Sequence, residues 1–168
     1  MKTLIVGLGN TILSDDGAGV FVARMLKKDL AGAVDIIEAE TAGLDLMEML
    51  SGYERAILVD AIKLDDELPG TVFRLRPDDL KITPRLSSCH DIDIVTALAL
   101  GRKLGLEMPD EVIIYAVQAA DMLTLSEGCL EDVARVIPLL AREITSFVKG
   151  EKMERVSIDL SGRRSGNA

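Results

Sequence analysis

Three short runs limit what this chain can fold into: "TLIVGL" from residue 3, "AILVD" from residue 56 and "VIIYAV" from residue 112. Each is apolar, rich in β-branched residues and too short for a helix. None alternates strictly between apolar and polar residues. Strands of that kind need cover on both faces, so helices must lie above and below one sheet.

The intervening segments supply those helices. Ala18, Val22, Met25 and Leu26 fall on one helical face, with Lys27 and Lys28 at its end. Leu44 to Leu50 suits a short helix after Gly43. Ile94, Val95, Leu98 and Ala99 line a further face, which Ser87 or Ser88 can cap. Ser126 can cap a last helix to about Val148, with a bend at Pro138. Val34 to Ile37 adds a strand, and Thr71 to Leu75 another after the Pro69-Gly70 turn. The expected fold is a three-layer α/β/α single domain around an about five-stranded sheet. The sheet is mostly parallel, and the strand after the Pro-Gly turn is the one antiparallel candidate. Residues 1–149 form the domain in this reading. Residues 150–168, charged and then Gly/Ser-rich, form a tail in which Val156 to Leu160 could still pair as a strand.

Composition restricts the partners. Aromatic residues are 3% of the 168 and Trp is absent, so the core is aliphatic and Met-rich. The net charge of −9 disfavours nucleic acid and anionic membranes, and it suits a protein or small-molecule partner. A monomer or weak dimer is expected. The apolar run after Lys2 ends at Gly9-Asn10, too short for a signal-peptide core, and no run approaches a membrane span. Cys89 and Cys129 make no CxxC and no disulfide framework, so a reducing, cytoplasmic setting is expected.

Sites on open α/β sheets form beyond the carboxyl ends of the strands. "GLGNTILSDDGAG" follows the first strand there. It lacks the third glycine of a dinucleotide loop and places acids where a pyrophosphate would sit. The glycines allow a tight turn. A helix start favours Asp, which accounts for one of Asp15 and Asp16 as a cap. Asp60 closes the third strand. His90, the only histidine, precedes a helix, where the dipole favours a neutral ring able to bind metal or take a proton. Asp16, Asp60 and His90 together suit a divalent transition metal with coordination positions left open. Cys89 beside His90 is a conceivable nucleophile, but neighbours at a helix start point different ways and free cysteine commonly packs as a small hydrophobe. Thr41 and Gly43, in "ETAGLDLM", read either as a cap and turn or as a loop presenting backbone to a peptide.

"GLGNTILSDDGAGV", "ETAGLDLM", "AILVDAI", "PGTVFRL" and "CHDIDIVTALALG", in that order over about residues 3 to 148, resemble the nickel–iron hydrogenase maturation endopeptidases. The resemblance implies a protease that removes a short C-terminal extension from the hydrogenase large-subunit precursor after nickel insertion. It implies that Asp16 of "SDDG", Asp60 of "LVDA" and His90 of "CHD" form a metal-binding set that senses nickel delivered with the substrate, with no tightly bound organic cofactor. It also implies that Thr41 to Gly43 help to recognise the substrate. Two positions depart from the pattern: Glu40 replaces a glycine, and Ala119 replaces a proline after the Gln of the fifth strand. Whether the metal polarises the carbonyl, the metal activates water, or a carboxylate acts as general base stays open.

Two other readings share parts of the pattern. A receiver-like phospho-acceptor domain also has acids after strand one and an Asp after strand three, but it needs a Lys after strand five, and "VIIYAVQAADM" has none. A peptidyl-tRNA hydrolase-like enzyme shares "VGLGN", but it needs an early histidine and a basic face.

Overall fold

The computed structural model describes residues 1–40, 43–82 and 94–151. Five strands form one sheet in the order β2-β1-β3-β5-β4, namely β1 (Thr3–Leu8), β2 (Asp35–Ala39), β3 (Arg55–Ile62), β4 (Val72–Leu75) and β5 (Glu111–Gln118). The pairings β1–β2, β1–β3 and β3–β5 are parallel, and β4 runs antiparallel to β5, as the Pro69-Gly70 turn predicts.

Alternation along each strand builds the three layers. Ile5, Ile57, Val59, Ile113 and Val117 face α1 (Ala18–Asp29) and α5 (Glu131–Lys149), packing with Val22, Leu26, Leu140 and Ile144. Leu4, Val6, Leu58 and Ile114 face the other way, into a cluster with Leu46 and Leu50 of α2 (Gly43–Leu50) and Ala97 and Leu98 of α4 (Ile94–Lys103). Every residue of β1 is buried, which is why its sequence cannot alternate. At about 25 cal/mol per Å², each fully buried Leu or Ile contributes roughly 2 kcal/mol of apolar transfer to this arrangement.

Some boundaries differ from expectation. β3 continues past Asp60 to Ile62 because Ala61 and Ile62 still pair with Val117 and Gln118. α5 starts at Glu131, with Leu130 and not Ser126 at its N-cap, because Ser126 is paired elsewhere through its backbone. The helix continues through Pro138 and stops at Lys149, where Gly150 takes the left-handed conformation (φ +67°). A short additional helix, α3 (Pro77–Ile82), has ordinary start signals. Pro77 opens it, Asp78 and Asp79 fill its first turn, and the Asp79 carboxylate accepts the Arg76 N–H at 2.7 Å. The tail from residue 152 onward, and the Ser87 or Ser88 cap, lie outside the described residues.

The chain leaves β1 for β2 on one side, then returns to β3 on the other. The two loops part between β1 and β3. In a parallel sheet that switch point is where a crevice forms.

Candidate active site at the carboxyl edge of the sheet

The elbow after β1 is set by contact as much as by torsion. Gly9 has φ +128°, and a Cβ there would lie 1.8 Å from the carbonyl oxygen of Asp16. At Gly19, in the first turn of α1, a Cβ would meet the Val59 carbonyl oxygen at 2.1 Å and that of Leu8 at 2.4 Å. The elbow and the helix start therefore press backbone against backbone over the ends of β1 and β3, and a side chain at either glycine would separate them.

Between elbow and helix lies a 3-10 turn, Ser14–Gly17, that holds both carboxylates. Neither caps α1: its N-cap is Gly17, without a side-chain hydrogen bond. Both acids lie within this turn, ahead of the helix, so the capping expectation fails. Asp16 is 5% exposed, and its Oδ2 accepts the Asn10 N–H at 2.9 Å. Asn10 in turn accepts the Ile12 N–H at 3.1 Å, closing the elbow on itself.

Asp15 has a structural role that the sequence did not disclose. It is fully buried. Its Oδ2 accepts the N–H groups of Ala120 (2.8 Å) and Asp121 (3.1 Å), and its Oδ1 accepts that of Leu130 (2.7 Å). Both ends of the loop between β5 and α5 thus rest on one carboxylate. The only sequence signal was the doubled Asp. Its partners could not be read, because the loop after β5 carries no pattern that points back to the elbow.

Asp60 stands inside β3, opposite Ala116 in the register and 7% exposed. By alternation it shares its sheet face with Leu58 and Ile62, so a carboxylate occupies the middle of an apolar row. Its Oδ1 accepts the Ala61 N–H at 2.8 Å. A buried Asp in such surroundings is uncommon without partners or a task. Gly7 pairs with Val59, so Asp60 stands level with Leu8, the last residue of β1, where the elbow begins. The 3-10 turn packs against β3. The structure therefore brings the segments bearing Asp16 and Asp60 to one place at the switch point.

Gly43 opens α2. His90 and Thr41 lie outside the described residues, as does Cys89. Among the described residues, no three His, Cys, Asp or Glu side chains gather closely enough to hold a metal. Gln118, at the end of β5 and 2% exposed, was also missed as a positioning residue. Its amide accepts the Leu64 N–H at 3.2 Å and donates to the Leu64 carbonyl at 2.9 Å, tying the loop after β3 to the same edge.

Known proteins resemble this chain in sequence and in fold. A family described as hydrogenase maturation protease matches residues 20–147. A putative hydrogenase maturation protease of Methanocaldococcus jannaschii is 31% identical over 152 residues, covering 87% of this chain and 96% of that protein. The hydrogenase 2 maturation protease of Escherichia coli is 29% identical over 121 residues, 70% of this chain and 73% of its own length. The solved structure of a hydrogenase maturating endopeptidase from E. coli superposes with a TM-score of 0.72 at 25% identity, over 89% of this chain and 93% of that one. The family match runs from α1 to α5, and the Methanocaldococcus relative is covered nearly end to end. The chain therefore belongs to the hydrogenase maturation protease family and is a hydrolase, an endopeptidase of hydrogenase maturation.

Proposed function

We propose that the protein removes the C-terminal extension of a nickel–iron hydrogenase large-subunit precursor once nickel has been inserted, and that Asp16, Asp60 and His90 sense that nickel. The observation that carries this reading is the register that sets Asp60, a buried carboxylate, level with the start of the elbow bearing Asp16. The donor set fits a divalent cation. Each carboxylate has one oxygen oriented by a backbone N–H, at 2.9 Å for Asp16 and 2.8 Å for Asp60, and His90 would add the one imidazole in the chain. No thiolate joins the set, so its own hold on a metal would be weak, and the nickel arrives as part of the substrate.

In this reading the chain's residues orient more than they react. Asp16 and Asp60 fix the precursor's metal against the sheet edge, and the Thr41–Gly43 segment presents backbone to the peptide beside it. A carboxylate of the pair can also accept a proton from the attacking water. No tightly bound organic cofactor is required. The precursor is the partner, met in the cytoplasm by a monomer or weak dimer. No described helix is long and apolar enough to cross a membrane.

The test is incubation with nickel-loaded and nickel-free large-subunit precursors, read as a gel shift. Only the nickel-loaded form should be cut. Equal cleavage of both would end the nickel-sensing role, and cleavage of neither would end the functional reading. His90→Ala should abolish processing while shifting stability by about 0.5 kcal/mol or less. Normal cleavage by a folded His90→Ala protein would remove His90 from the site.

A further inference from the structure

The loop between β5 and α5 is tightly built yet presents its largest apolar side chains to solvent. Asp15 holds both of its ends, and the Asp121 carboxylate accepts the N–H groups of Leu123 (2.9 Å) and Thr124 (3.2 Å). The elbow pairs with it directly. The Ser14 N–H donates to the Ser126 carbonyl at 3.1 Å, and the Ser126 N–H to that of Ile12 at 3.0 Å. Leu123 is nevertheless 87% exposed, Leu125 75% and Ile12 52%. Single exposed leucines are ordinary. Three large aliphatic side chains brought together by hydrogen-bonded backbone at the rim of a site are a feature of surfaces that become covered.

We infer that this loop, together with Ile12, is the docking surface for the large-subunit precursor, and that it takes an apolar segment flanked by Lys or Arg. The inference rests on the function proposed above. Charge selects the occupant. From Leu104 to Ala134 the chain has no Lys or Arg, and the loop carries Asp121 and Glu127 beside the leucines; Lys63 reaches only its first residues, donating to the Ala120 carbonyl at 2.6 Å and offsetting part of the Asp121 charge. A second copy of this chain would set acid against acid, and an anionic membrane would be repelled in the same way. A basic-flanked apolar segment of another protein meets both the leucines and the acids. Its position follows from the backbone: the elbow that holds Ser126 also carries Asp16, so a segment on the leucines lies beside the candidate site.

The experiment uses the full chain, a nickel-loaded precursor and the double variant Leu123→Asp/Leu125→Asp. Both side chains are exposed, so thermal unfolding should match wild type. Cleavage kinetics and direct binding of the precursor are measured together. The expected result is a rise of about tenfold or more in Kd and KM, with the loss concentrated in KM as for a contact made equally in ground and transition states. Glu127→Lys should also weaken binding, and added salt should reduce the difference from wild type. KM and Kd within about twofold of wild type for the double variant would overturn the docking surface while leaving the protease reading intact. A wild-type protein that neither binds nor cuts the precursor would overturn both.

Discussion

Asp15 in the elbow after β1 and Asp60 in β3 are both buried at the same edge of the sheet, by different means. Asp15 lies in a 3-10 turn and accepts backbone N–H groups from a loop more than a hundred residues further along the chain, with separations of 105, 106 and 115. Asp60 lies in a strand, in an apolar row between Leu58 and Ile62, and accepts the N–H of the next residue. The first arrangement holds two segments of the fold together. The second places a charge where the strand pattern calls for an apolar side chain. Burial alone does not tell a structural acid from a functional one. The distant donors to Asp15 mark it as part of the scaffold, and the place of Asp60 in an apolar row at the sheet edge makes it a candidate for chemistry.

Substitutions can break that contrast. Asp15→Ala should have the largest effect on stability, since it leaves the N–H groups of Ala120, Asp121 and Leu130 without their acceptor. At about 1–3 kcal/mol for each buried orphan, partly relieved by water, the expected loss is about 3 kcal/mol or more in denaturant unfolding. A loss below about 1 kcal/mol would mean that the loop does not depend on Asp15. Asp60→Asn should behave in the opposite way. It keeps the shape and removes the charge, so precursor cleavage should fall by about a hundredfold or more while the unfolding temperature moves by only a few degrees. Near-normal cleavage by the Asn variant would make Asp60 structural and erase the distinction.

The smallest effect sharpens the picture of Asp15. Cys129 packs near it, with its thiol 3.9 Å from the Ser14 carbonyl. Burial, and then the Asp15 charge, push the Cys129 pKa up to about 12. The native thiol therefore stays protonated far above the value of about 8.5 for a free cysteine. Alkylation at pH 8, followed at Cys129 by peptide mass, should be at least about a hundredfold slower than for an unfolded chain. The native state holds this proton longer than the unfolded state. Stability from this group is therefore complete below about pH 8.5 and falls as pH rises towards 12. Asp15→Asn should speed the labelling, and an unchanged rate would mean that the Asp15 charge does not reach the thiol.

Much of this architecture was legible beforehand because periodicity is local. "TLIVGL", "AILVD" and "VIIYAV" showed buried strands, the helical faces showed cover on both sides, and Pro69-Gly70 marked the antiparallel strand. The rule that sites gather at the carboxyl ends of parallel strands then placed Asp16 and Asp60 at one edge. The misreadings were local as well. A Ser before a helix resembled a cap, and an Asp before a helix resembled a cap. In both cases a tertiary partner outcompeted the local one: Ser126 pairs with the elbow, and Asp15 holds the loop before α5.

What the sequence determined by itself was the sheet, its two helical layers and the edge where chemistry gathers, since each follows from spacings of two to seven residues along the chain. Only the tertiary structure decided which of two adjacent aspartates is scaffold, and why Gly9 and Gly19 must be glycine. It also decided that Leu123 and Leu125 stand exposed on a rigid loop. Those outcomes depend on where remote backbone arrives after folding. A donor more than a hundred residues away, or a carbonyl 2.1 Å from an absent Cβ, leaves no periodic trace in the sequence around the residue it constrains.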